Sequence, residues 1–246
     1  MWLPLQQDSF WRFFMAEHSK EQRVYSVFES ISEGYDRANN RISLGLQNSW
    51  KKALTDRLTA DTPRGTDILD VCCGTGDIAL KMADARRDLK VTGIDFSPAM
   101  LEVAESKRCG RRNVRFTQGN AMKLPYRDDS FTAACISFGL RNTADYEQVL
   151  REMKRVVRPG GYIYCLDSFV PDSPVVRPFY NIYFRFIMPM LGGGRKYKKE
   201  YMWLYESTQK FLHRGELENL YRRLGLRAVN HKNRMCGACV LVWGQK

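Results

Sequence analysis

At 246 residues the chain has room for one large α/β domain, or for one domain with an appended lid. Its 44% hydrophobic and 27% charged residues exclude wholesale disorder; no window approaches the roughly 18 consecutive apolar residues of a membrane span, and the opening MWLPLQQDSFWRFF lacks the basic start of a signal peptide. A net charge of +12 speaks of anionic partners rather than of fold, and seven cysteines, an odd number, fit thiols in a reducing, cytoplasmic compartment.

Residues 10–60 read as helices, with apolar residues at helical spacing through VYSVFESI and NSWKKALTDRL. A regular alternation follows. DILDVC is a buried strand, DIALKMADA a helix, LKVTGIDF a strand, and PAMLEVAESKR a helix with Ser97 as N-cap and Pro98 in its first turn. NVRFTQGN and FTAACISFG are strands, DYEQVLREMKRVV a helix, RPGG a turn, and GYIYCLDSF a strand. Strands alternating with helices of this length call for a doubly wound, mainly parallel α/β sheet of Rossmann-like build. Residues 171–212 interrupt the pattern as an inserted helical lid, between a core at 61–170 and a closing helix with a strand pair at 213–246. Residues 1–60 form an N-terminal helical cap.

Two features ask for a ligand and fail on context. Cys236 and Cys239 have redox spacing, but CGAC precedes a strand rather than opening a helix, and no second ligand pair makes a metal site. The basic residues come mostly as pairs on solvated helix faces. The densest cluster, Arg195, Lys196, Lys198 and Lys199, follows the aromatic segment RPFYNIYFRFIMPMLGGG, a combination suited to nucleic acid or to an anionic membrane. Nothing resembles an RNA-recognition motif, so nucleic acid is not the expected partner.

The loop Gly74-Thr75-Gly76-Asp77 follows a strand and opens a helix, at the carboxyl edge where parallel sheets hold ligands. It is not a Walker A loop, because no Gly-Lys-Ser/Thr follows, and Ala79 stands where a dinucleotide fingerprint has its third glycine. Alone it suits a dinucleotide or another adenosine cofactor. The next strand ends in Asp95, where an acid can take both ribose hydroxyls; the alternative is that Asp95 caps the helix beginning at Pro98. Phe96 lies beside it, and a third strand end offers Asn120 and Ala121 to an adenine edge. The sulfonium of S-adenosylmethionine carries no phosphate, which accounts for the missing lysine and glycine. No resident metal is implied.

Five blocks follow one another in order: VFESISEGYDRANNRISLGLQNSWKKAL, ILDVCCGTGDIALKMA, GIDFSPAML, ISFGLRNTADYEQVLREMKRVVRPGG and YMWLYESTQKFL. Together they resemble the C-methyltransferases of menaquinone and ubiquinone biosynthesis over residues 22–246, and YDRANNRISLG and SFGLRN are the diagnostic parts. The resemblance implies a class I methyltransferase fold, S-adenosylmethionine as cofactor, and methylation of a ring carbon of a lipid-tailed quinol, demethylmenaquinol to menaquinol. It places cofactor contacts on Thr75, Asp95, Asn120, Ala121 and Ser137, with Gly74 and Gly76 giving close backbone approach. Tyr35 and Asp36 are to cover the pocket, and Arg141 and Asn142 to face the acceptor. Arg141 is expected to stabilise a developing phenolate, since arginine stays protonated; its alternative is an ion pair with Asp145 or Glu147. Tyr35 and Asp36 are the candidates, with ordered water, for moving the proton.

The lid, with Phe179 and Tyr183 among its aromatics, is expected to hold the isoprenoid tail while the basic cluster keeps its mouth near anionic headgroups. The chain departs from the family pattern on the acceptor side. It has DSF (Asp167 to Phe169) where EFS is common, and VLVWGQK lacks the usual histidine. The alternative function is the same fold acting on another small aromatic: a phenol, an indole or a polyketide.

Overall fold

The computed structural model describes residue 20 and residues 22–30, 34–191 and 198–246. The first nineteen residues of the expected cap lie outside the described residues, as do Arg195 and Lys196; of Lys198 and Lys199 only the backbone is described.

Seven strands form one sheet in the order β3-β2-β1-β4-β5-β7-β6: β1 (Asp67–Val71), β2 (Lys90–Asp95), β3 (Val114–Gln118), β4 (Phe131–Ser137), β5 (Val157–Ser168), β6 (Arg227–Arg234) and β7 (Cys239–Gln245). The first five pair in parallel, and β7 runs antiparallel between β5 and β6. The central β1 and β4 are buried on both faces because their apolar residues run without alternation.

Helices cover each face. On one side, α2 (Gln47–Asp61) and α3 (Asp77–Ala85) bring Leu54, Leu58, Ile78 and Met82 onto the sheet. On the other, α5 (Tyr146–Val156) and α9 (Arg214–Arg223) bring Val149, Leu150, Met153, Leu217 and Leu220. Each such side chain contributes about 1.5–3 kcal/mol of burial. Between β2 and β3 lies α4 (Pro98–Arg108), whose cap Ser97 accepts the Met100 N–H at 3.2 Å. Asp145 caps α5 by accepting from Gln148 N–H at 2.9 Å.

One local expectation changes. RPGG is not a free turn: β5 runs straight through it, with a register shift against β4 between Phe131 and Ala133. Gly160 takes φ +80°, and a Cβ on Gly161 would stand 2.3 Å from the Thr132 carbonyl oxygen. The two glycines make a bulge, which keeps the strand paired where a turn would have released it.

Before the core, α1 (Tyr35–Ile42) and the helical residues 22–30 lie over the carboxyl ends of the strands. After β5, α6 (Val176–Ile182) continues through a π-helical turn at Tyr183–Ile187 into α7 (Met188–Leu191), and α8 (Lys198–Gln209) returns to the core.

Candidate active site

β1 and β4 are adjacent at the point where the strand order reverses, and there the carboxyl ends of an open α/β sheet leave a crevice. Two cavities meet in it. The first is lined by Tyr25, Phe28, Asp95, Phe96, Asn120, Ala121 and Asn142. The second lies under the lid and is lined by Gln47, Lys51, Thr75, Arg141, Tyr183, Phe184 and Met188. Tyr35, Cys72, Gly74, Ser137 and Phe138 belong to both and form the shared wall. Cys72 and Phe138, the residues after β1 and β4, both hold left-handed backbone (φ +53° and +57°). For non-glycine residues that is a local cost, which the packed strand ends sustain.

Asp95 organises the first cavity. Its carboxylate accepts the Gly74 N–H at 2.8 Å and the Ser97 N–H at 3.0 Å, so it holds the glycine loop against the start of α4. Ser97, not Asp95, caps that helix. Burial raises the Asp95 pKa, and those backbone bonds partly offset the rise. Asn120 is fixed from within its loop, its side-chain oxygen accepting the Met122 N–H at 2.8 Å. Ser137 Oγ is buried with no partner among the described residues, directly on the shared wall. An unpaired hydroxyl there, beside a glycine loop and a buried carboxylate, fits an adenosyl cofactor.

The loop residues divide. Gly74 lines both cavities, while Thr75 lines the second and donates its hydroxyl to Asp36 Oδ1 at 2.8 Å. Lys107 completes the triangle at 2.8 Å from Asp36 Oδ2 and 3.2 Å from Thr75 Oγ1. Asp36 therefore straps α1 to the loop. Gly76 lines neither cavity: at φ +76° it starts α3, and a Cβ on it would stand 2.6 Å from the Phe116 ring. Its role is close helix–strand packing. Gly76→Ala is expected to cost about 1–3 kcal/mol by crowding and backbone strain, read as a lower unfolding midpoint. An unchanged midpoint would contradict the packing role.

Arg141 is 5% exposed and ion-paired with Asp167, which is fully buried. Its Nη1 also donates to the Phe138 carbonyl at 2.9 Å, and its backbone N–H to Asp167 Oδ2 at 3.3 Å. Its Nε is buried with no partner among the described residues. Burial opposes the charge, but Asp167 and then Tyr35 more than offset it, so the pKa is raised and the guanidinium stays charged. The alternative partners are engaged elsewhere: Asp145 caps α5, and Glu147 pairs with Arg151 and Arg223. The Tyr35 hydroxyl has its pKa raised by burial, with Arg141 pulling the other way.

Two expected acceptor contacts lie elsewhere. Asn142, one residue past Arg141 in a 3-10 turn, lines the first cavity and accepts the Trp203 Nε1–H at 3.2 Å. Phe179 is 71% exposed and lines neither cavity, because it stands on the outer face of α6. The inner face is Tyr180 and Phe184, stacked at 4.2 Å. Tyr183 does line the second cavity, donating its hydroxyl to the Ile42 carbonyl.

Several site residues went unread in the sequence. Asp70 lines the second cavity, and burial pushes its pKa to about 7 despite bonds from Ala79 N–H and the Cys135 thiol. The signal was an acid inside an apolar strand, and Asp167 in YIYCLDSF carries the same signal.

A model of the ubiE/COQ5 methyltransferase family matches residues 16–246. The chain belongs to that family. A demethylmenaquinone methyltransferase of Shouchella clausii is 44% identical over 233 residues, covering 93% of this chain and 98% of its own. Its namesake in Bacillus licheniformis is 43% identical over 215 residues, 87% of this chain and 92% of its own. Among solved structures, a Thermotoga maritima S-adenosylmethionine-dependent methyltransferase, described as a possible histamine N-methyltransferase, superposes with a TM-score of 0.64 at 22% identity, covering 90% of this chain and 99% of its own. Phosphoethanolamine N-methyltransferase 2 of Haemonchus contortus, solved with S-adenosyl-L-methionine, superposes with a TM-score of 0.56 at 17% identity, over 74% of this chain and 38% of its own. The fold is the Rossmann-like class I methyltransferase fold, and the protein is a methyltransferase that uses S-adenosylmethionine.

Proposed function

We propose that this methyltransferase methylates a ring carbon of a prenylated naphthoquinol, demethylmenaquinol to menaquinol, with Asp95, Gly74, Asn120, Ala121 and Ser137 around the cofactor and the second cavity for the acceptor. The shared name of the curated relatives supports the substrate. The observation that carries the chemistry is Arg141, a buried cation whose Nε has no partner among the described residues, on the acceptor cavity beside the wall common to both cavities.

The bound cofactor supplies an electrophilic methyl group. An aromatic carbon attacks well only once a neighbouring hydroxyl has given up its proton to ordered water; after methylation the ring proton follows it to water, which restores the aromatic phenolate, and the phenolate is then reprotonated. Arg141, held by Asp167, stabilises the phenolate oxygen in a site shielded from water, where fixed charge acts most strongly. Tyr35, with its pKa raised, keeps its own proton and serves as a donor rather than a base. Asp36 is committed to Lys107 and Thr75.

Methyl transfer from labelled S-adenosylmethionine to a short-tailed demethylmenaquinone, with and without reductant, tests this reading. Label entering the naphthoquinol only under reducing conditions is expected. Intact cofactor binding with no label in either state would overturn the acceptor.

The lid bears on how a lipid-tailed substrate arrives. Its outer face carries Val175, Phe179, Ile182, Phe186 and Met190, exposed at helical spacing beside the exposed Arg177 and Arg185, while its inner face walls the acceptor cavity. Among the described residues no helix is long and apolar enough to cross a membrane. A peripheral contact with an anionic bilayer fits this surface. Changing Phe179 and Phe186 together to serine removes about 3 kcal/mol or more of insertable surface, so co-sedimentation with anionic vesicles is expected to fall more than about tenfold. Undiminished binding would remove the lid from that role.

A further inference from the structure

The acceptor cavity has a second polar wall that the mechanism above does not use. Gln47 and Lys51 stand one turn apart on α2 and so share a face, and each is only 7% exposed. Polar side chains this buried are normally bonded within the protein. Lys51 spends one donor on Asp77 Oδ2 at 2.7 Å. The Gln47 carboxamide makes no hydrogen bond among the described residues, and it lines the cavity. Trp50, between them in sequence, faces the Phe138 ring at 6.4 Å, and the Phe138 carbonyl accepts from Arg141. The α2 wall and Arg141 thus border the same space, joined by two aromatic rings.

A hydroquinone ring carries two oxygens at opposite ends, and Arg141 accounts for one of them. We infer that Gln47 and Lys51 anchor the other, the ring oxygen distal to Arg141, and so select an acceptor with two hydroxyls over one with a single hydroxyl. The inference rests on the quinol reading above. A carboxamide both donates and accepts, which suits a hydroxyl, and the ammonium adds a donor. The carboxylate of the cofactor is the rival occupant. Against it, the Lys51 charge is already engaged, its ammonium lying 2.7 Å from Asp77 Oδ2: burial would raise the Asp77 pKa, yet Lys51 and Lys81 hold it down at about 2.

The test uses Gln47→Met, which keeps the shape of the side chain and removes its hydrogen bonds, with Lys51→Met beside it. Each full-length variant is assayed with short-tailed demethylmenaquinol and with the corresponding naphthol lacking the distal hydroxyl, and its Kd for S-adenosylmethionine is measured. Gln47→Met is expected to raise KM for the quinol about tenfold, the size of one lost hydrogen bond, and to leave the naphthol and the cofactor Kd nearly unchanged. Equal effects on both acceptors, or none, would overturn the anchor. A weakened cofactor Kd with an unchanged unfolding midpoint would assign the pair to the cofactor's carboxylate instead. Wild-type protein that methylates neither acceptor would remove the quinol reading, a result separate from any variant's.

Discussion

Asp95→Ala is expected to raise the Kd for S-adenosylmethionine by about a hundredfold to ten-thousandfold. The size of the loss follows from what the carboxylate holds. Two ribose hydroxyls bonding to an ionised partner are worth about 1.5–3 kcal/mol each, and every 1.4 kcal/mol is tenfold in affinity. The loss extends into the protein itself, because the Gly74 and Ser97 N–H groups both point at this carboxylate at 2.8 and 3.0 Å. Without it the glycine loop and the start of α4 lose their common anchor. Asp95→Asn keeps the volume but must turn an NH2 towards one of those two N–H donors or towards the ribose. A smaller but still large loss is expected from it. Titration calorimetry decides the matter: alanine-variant affinity within about fivefold of wild type would show that the ribose sits elsewhere.

The second large effect is at Arg141, where catalysis and stability separate. Arg141→Ala is expected to lower kcat by about 10²–10³, as when one oxyanion donor is removed, while the cofactor Kd moves less than about twofold. The same change strands Asp167 in the core, at a cost of about 3–5 kcal/mol in unfolding free energy. The double variant Arg141→Met with Asp167→Leu removes the buried charge along with its partner. It is expected to recover most of the stability and none of the turnover. Arg141→Lys is not expected to rescue turnover, because an ammonium cannot reproduce a fork that spans Asp167, the Phe138 carbonyl and a third acceptor. A double variant with near-normal kcat would remove Arg141 from the chemistry.

These effects trace back to features that differ in how plainly the sequence displays them. DILDVC and LKVTGIDF are legible because a strand buried on both faces shows as an unbroken apolar run, and Asp95 because it ends one. The bulge at Gly160 and Gly161 is not legible, since its cause is the neighbouring backbone of β4 at Thr132. The Arg141–Asp167 pair spans 26 positions and forms only when β5 lies beside β4. Gln47 and Lys51 defeat the pattern outright. Reading a helix by periodicity assumes that apolar means inward, and α2 turns polar residues into the cavity. Phe179 fails for the opposite reason: with aromatics on both faces of α6, composition carries no information about which side is in.

The strap across the glycine loop has a kinetic consequence. Tyr25 and Phe28 of the N-terminal helix roof the first cavity, Tyr35 roofs both, and the roof is fastened by Asp36 to Thr75 and Lys107 and by Glu29 to Ser97 at 2.7 Å. The Asp36–Lys107 pair is about one-third exposed, so solvent and salt weaken it to about 1 kcal/mol or less. The latch is therefore light. Raising the ionic strength, which screens the pair, is expected to loosen the roof and speed exchange of the cofactor.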